Sequence, residues 1–144
     1  MKKIVLIIGA ILVGVFILIQ FVPYGHDHYN PPVINTPNWD NAQTADLAQH
    51  ACYECHSNQT EWPWYSYIAP TSWLVEYDVQ HARVNLNFSE WSTYQLMAGD
   101  AVAMVQAGKM PPWRYWILHP DAHLTDAQRQ QLIQGLQALE SQSQ

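Results

Sequence analysis

Residues 50–67 read HACYECHSNQTEWPWYSY and hold the only two cysteines of the chain, Cys52 and Cys55, with His56 directly after the second. Three chemistries use two thiols and an imidazole packed this closely: a covalently attached haem, a redox dithiol, and half of a zinc site. Each demands a different surrounding pattern, so choosing among them decides the fold.

Zinc needs four ligands, and the chain has no second cysteine pair. His119 and His123 have a usable spacing, but enlisting them would leave His56 without a purpose. A thiol–disulfide oxidoreductase places its Cys-x-x-Cys at the start of a helix after a strand, whereas here the pair closes a helical segment. A structural disulfide at this spacing encloses a loop too small to gain much entropy. Covalent haem uses every residue. Positions i, i+3 and i+4 share one helix face, so Cys52 and Cys55 reach the two vinyl groups from one side and His56 meets the iron as proximal ligand. The expected cofactor is one haem c per chain.

The surrounding pattern is helical. From about Asn41 to His56 there is no Gly or Pro, and Ala42, Ala45, Ala48 and Cys52 recur at helical spacing. APTSWLVEYDVQHARVNL opens with Pro70 and the capping residues Thr71 and Ser72, then continues as a second helix. A third runs from about Tyr94 to Ala107 and stops at Gly108. In the fourth, Thr125 and Gln128 form a capping box, and Leu132, Ile133, Leu136 and Leu139 make one apolar stripe. No alternating strand pattern competes. The predicted fold is an all-α bundle of about four helices around one covalent haem.

Ahead of this domain, MKKIVLIIGAILVGVFILIQFV carries Lys2 and Lys3 and then an apolar run long enough to span a bilayer. The lysines favour a cytoplasmic N-terminus. The following QFVPYGHDHYN offers no small-x-small cleavage site, so residues 1–22 are read as an uncleaved transmembrane signal-anchor. Residues 23–40 contain four of the nine prolines and read as a tether, with His26 and His28 as ordinary linker residues. Residues 41–144 form the haem domain, held on the periplasmic side of the inner membrane.

All twelve acidic residues lie beyond the anchor with only four of the six basic ones, leaving that part eight charges negative. This argues against nucleic acid, which demands clustered Lys and Arg. Basic redox partner proteins fit the charge, and so does acidity that merely keeps the domain soluble.

The opposite face of the iron has seven candidates: Met97, Met104, Met110, His50, His81, His119 and His123. Met97 and Met104 share one face of the third helix and read as core. Met110 sits in AGKMPPW, after a helix-ending glycine and before two prolines that stiffen the chain. A stiff loop presenting one thioether suits a sixth ligand. His81 is the runner-up and would give a bis-histidine site.

CYECHSNQTEWPWYSYIAPTSWLV, NLNFSEW and KMPPWRYWILHPDAHLT together resemble the haem-binding domain family of small exported bacterial proteins, many of them membrane-anchored. The resemblance covers roughly residues 44–139. It implies a cytochrome c-like helical bundle, haem attachment at Cys52 and Cys55, His56 as proximal ligand and Met110 as distal ligand. Trp62, Trp64 and Tyr65, close after the proximal histidine, are the candidate pocket walls, with Tyr67, Trp73, Trp91, Trp113 and Trp116 as further ones. Arg83 and Arg114 are the candidate propionate partners.

The expected function is single-electron transfer at a membrane, since no catalytic constellation beyond the haem ligands is visible. A haem-based sensor or peroxidase-like enzyme with an open distal site is the alternative. A third class is a subunit whose haem mainly staples a small fold.

Overall fold

The computed structural model describes residues 1–142, and the regular elements among them are helical, with one isolated parallel bridge between Asn35 and Glu90. The chain divides into two compact units, one of residues 1–29 with 62–78, the other of residues 30–61 with the chain from 79 onward.

The first unit opens with α1 (Lys2–Ile19), an apolar helix with no buried residue. By length and composition it can cross a membrane, a test that a signal sequence also passes. Three attachments bind the chain after α1 to residues 62–78. The Gln20 side chain donates to the Ala69 carbonyl and accepts from the Ala69 amide, both at 3.0 Å. Gly25, at φ +81°, lies so close to the Ser72 carbonyl that a Cβ there would approach to 2.7 Å. His28 lies 2.9 Å from the Ser66 carbonyl oxygen and packs edge-on to Tyr67 with ring centroids 4.2 Å apart.

In the second unit, α2 (Ala42–Ala48) starts where the Asn41 side chain accepts from the Thr44 amide at 2.8 Å. It passes through a π-helical turn (Gln49–Tyr53) into α3 (Glu54–His56). Its buried residues are Thr44, Leu47, Ala48 and Ala51, whereas Ala42 is exposed and Ala45 and Cys52 half-buried. The helix forms as the spacing predicts, but of Ala42, Ala45, Ala48 and Cys52 only Ala48 is fully buried, and Leu47, with more apolar area than any of the alanines, is buried beside it.

Helix α4 (Thr71–Asn85) follows Pro70 as expected. After α5 (Trp91–Tyr94) and a 3₁₀ turn comes α6 (Ala98–Gln106), and Gly108 closes it at φ +65° with its amide on the Val105 carbonyl. A single turn, α7 (Trp113–Trp116), follows Pro111 and Pro112. Helix α8 (Asp126–Gln142) has the expected capping box, with the Thr125 amide on Gln128 Oε1 at 2.9 Å and the Gln128 amide on Thr125 Oγ1 at 3.3 Å. All four residues of its apolar stripe are buried. Met97 and Met104, expected in the core, are instead 38% and 42% exposed. Their seven-residue spacing defines a face but not which side is covered, and Val102 and Val105 fill the side toward α8.

Residues 30–39 of the proline-rich stretch make specific contacts within this unit. Asn58 Nδ2 donates to the Pro32 carbonyl at 3.0 Å, the Ile34 amide to Ser89 at 2.8 Å, and Trp39 Nε1 to the Tyr53 hydroxyl at 3.1 Å.

Candidate functional site

The histidine that ends α3 is held from two directions by one short segment. Its Nδ1 lies 3.0 Å from the Leu86 carbonyl oxygen, and its own carbonyl accepts from the Phe88 amide at 2.8 Å. A carbonyl only accepts, so Nδ1 carries the proton and the neutral ring presents a lone pair at Nε2. Burial lowers the pKa of His56, with its backbone hydrogen bonds opposing the shift. At neutral pH the imidazole is thus uncharged and oriented as a metal ligand.

Why the 86–89 segment adopts this shape is written in its polar residues. Asn87 accepts from the Ser89 amide and donates to Asn58 Oδ1, each at 2.9 Å, while Ser89 Oγ accepts from the Asn58 amide at 2.9 Å. All three side chains are buried and satisfied, which makes the loop specific rather than adjustable. Phe88, fully buried, stacks on Tyr53 at 5.0 Å and on Trp91 at 5.8 Å, with Trp39 tilted against it. Tyr53 lies between the two cysteines, so this stack fixes the π turn that carries Cys52. Such turns inside α-helices recur at functional sites.

Cys52 and Cys55 are half-buried and not joined in a disulfide. Burial, with a contribution from Cys55, pushes the Cys52 thiol up to about 12. A redox dithiol works through a thiolate of lowered pKa, so this environment opposes that chemistry. Glu54, between them, is pushed up to about 7, mainly by burial, with the Glu61 amide bond opposing and the Glu61 charge adding to the shift.

Met110 is half-buried and packs against the same apolar cluster as Cys52. It lines a cleft of about 380 Å³ with Pro112, Trp116, His123, Lys109, Arg114 and Arg129. Trp116 and His123 stack along its wall at 4.4 Å. Three of the four basic residues beyond the N-terminal lysines thus gather at one cleft, and no carboxylate lines it. Arg114 was named from sequence. His123 is among the sequence candidates for the iron, whereas Lys109 and Arg129 are not site candidates there, because no local spacing relates residues drawn from different elements.

Arg83 faces another task. It donates from Nε to the Ser57 carbonyl at 2.8 Å and from Nη2 to Asn30 Oδ1 at 2.7 Å and Thr60 Oγ1 at 3.0 Å. It therefore clasps the loop directly after His56. His81 is exposed on α4, and the exposed His50 ring is held to the Asp46 carbonyl at 2.9 Å on its own helix. His119 stacks on Tyr115 at 4.2 Å. Trp62, Trp64 and Tyr65 belong to the first unit. There Trp62 packs against His28 at 4.6 Å and Trp64 is 75% exposed. Trp113 is also exposed.

The donor set fits a haem on the chemistry of its atoms: two thiols, a neutral imidazole held at Nδ1, and a thioether on the cluster that also receives Cys52. Residues 14–138, most of the chain, match the sequence model of a family described as a haem-binding domain. No curated protein and no solved structure matches the chain.

Proposed function

We propose, since the chain belongs to the haem-binding domain family, that it is a membrane-anchored mono-haem c-type cytochrome carrying single electrons between redox partners. Haem supplies a one-electron iron couple when bound. Cys52 and Cys55 hold it through thioethers, and His56 binds the iron through Nε2. The Leu86 carbonyl fixes the tautomer of that ring and raises its basicity. The Tyr53, Phe88 and Trp91 stack holds the 86–89 segment that carries this carbonyl. This hydrogen bond between His56 and Leu86 is the observation that carries the reading.

Met110 serves as sixth ligand. Its half-buried position on the apolar cluster that Cys52 also packs against favours it over the exposed His81. Arg114 at the Met110 cleft is the propionate partner of choice. Helix α1 anchors the protein once in the inner membrane, Lys2 and Lys3 keeping its start in the cytoplasm and the haem domain outside it. The acidic exported part suits basic redox partners.

A sensor or peroxidase-like function is the second reading, and His123 beside Met110 is the observation that favours it. The optical spectrum of the protein matured in cells that attach haem c separates the two. An electron carrier shows a sulfur-to-iron charge-transfer band when ferric and resists carbon monoxide when ferrous, and loses both in Met110→Ala but not in His81→Ala. A high-spin wild type that binds carbon monoxide at once establishes the open site instead.

A further inference from the structure

Helix α1 is 18 residues long, and at about 1.5 Å per residue it spans roughly 27 Å, close to the ~30 Å hydrocarbon core of a bilayer. Gln20, the residue that ends it, therefore stands where hydrocarbon gives way to headgroups. Its amide side chain is not left to water. It closes a reciprocal pair of 3.0 Å hydrogen bonds on the backbone of Ala69, a fully buried residue 49 positions further along. This pairing sets Ala69 at the same depth as the end of α1.

The residues just before Ala69 are a 3₁₀ turn (Trp64–Tyr67) and Ile68. At about 2 Å per residue, the turn lies within roughly 10 Å of Ala69. Two of its three aromatic side chains point outward, Trp64 at 75% exposed and Tyr67 at 57%, while Tyr65 is half-buried, and Ile68 is exposed as well. Phe21 and Val22, the first residues beyond Gln20, are exposed in the same way. Gly25 against Ser72 and His28 against Ser66 and Tyr67 fasten the turn to the exit of α1. Trp and Tyr, with an apolar body and a polar tip, concentrate at the headgroup boundary of membranes.

We propose that the Trp64–Ile68 segment is a second membrane contact, seated in the lipid interface beside the end of α1 and independent of it in sequence. The occupant of this exposed aromatic patch is lipid. The only lysines of this unit, Lys2 and Lys3, are at the opposite end of α1, so insertion of apolar surface, rather than attraction to anionic headgroups, holds the segment down. The proposal rests on α1 spanning the bilayer.

The test uses the full-length holoprotein in phosphatidylcholine nanodiscs, with a photoreactive benzophenone amino acid replacing Leu12 inside α1 or Trp64 in the turn. Irradiation is followed by mass spectrometry of the adducts. Expected are lipid adducts at both positions, of the same order in yield and unchanged in high salt. Lipid adducts at position 12 with none at 64 overturn the second contact and leave the anchor standing. Cross-links from 64 to protein do the same, and name a protein surface as the occupant. No lipid adduct at position 12 removes the spanning helix and the proposal with it. Tyr67→benzophenone repeats the measurement should the Trp64 replacement fail to accumulate.

Discussion

The imidazole of His56 is bound to the backbone of Leu86 through a 3.0 Å contact at Nδ1, and two residues later the Phe88 amide returns to the His56 carbonyl at 2.8 Å. Side chain and main chain of one residue are thus fixed by a single strip of three residues. The strip is in turn pinned by Phe88, whose ring is fully buried among Tyr53, Trp91 and Trp39.

Phe88→Ala is expected to cost roughly 3–5 kcal/mol, the range for emptying a buried phenyl site. Because the lost ring also supports Tyr53, the proposed iron site at His56 should loosen with the fold. Urea denaturation measures the first effect, and appearance of a high-spin fraction in the spectrum reports the second. Phe88→Leu should lose less than half as much stability and keep the spectrum.

Arg83 bridges α4, the loop after His56 and Asn30 through charge-assisted hydrogen bonds. Arg83→Gln should lower stability by about 1.5–3 kcal/mol, and Arg83→Lys should not restore it, because an ammonium cannot reproduce the planar fork. A propionate role predicts the reverse pattern: a shifted reduction potential with stability kept. Thermal melts and potentiometry on the same three proteins tell the two apart.

Glu54 supplies a pH dependence with a definite sign. Its folded pKa, about 7, lies above the ordinary 4.5, so the folded state binds more protons between those values. Stability must then fall as pH rises from 4.5 to 7 and stay reduced above it. Glu54→Gln keeps an acceptor for the Glu61 amide while removing the charge. The variant should melt above the wild type at pH 8, by a margin that solvent screening keeps modest, and match it at pH 4. A constant difference across that range would show that burial of the carboxylate is not the cause.

Gly135 tests which of two opposed effects wins on α8. Replacing a mid-helix glycine by alanine ordinarily gains about 1 kcal/mol. Here the added Cβ would collide with the Thr44 methyl group and crowd Asp40 at 3.3 Å, and overpacking of this kind costs about 1–3 kcal/mol. Gly135→Ala should therefore destabilise. Combining it with Thr44→Ser, which removes the methyl but keeps the hydroxyl bonded to Asn41, should recover most of the loss.

What the sequence by itself determined is what depends on neighbours within one or two turns. The capping box at Thr125 and Gln128, the stop at Gly108, the start after Pro70 and the apolar N-terminal helix all follow from φ restrictions and i, i+3, i+4 geometry. These were legible because cause and consequence lie in the same few residues. The tertiary structure alone decided which groups hold His56: Leu86 is 30 residues away, and Arg83 reaches partners 23, 26 and 53 residues distant. It also decided that Lys109, Arg114 and Arg129 share a cleft, and that Met97 and Met104 face outward. Periodicity gives a helix its faces, but only packing against other elements says which face is covered, since burial is a property of the assembled chain.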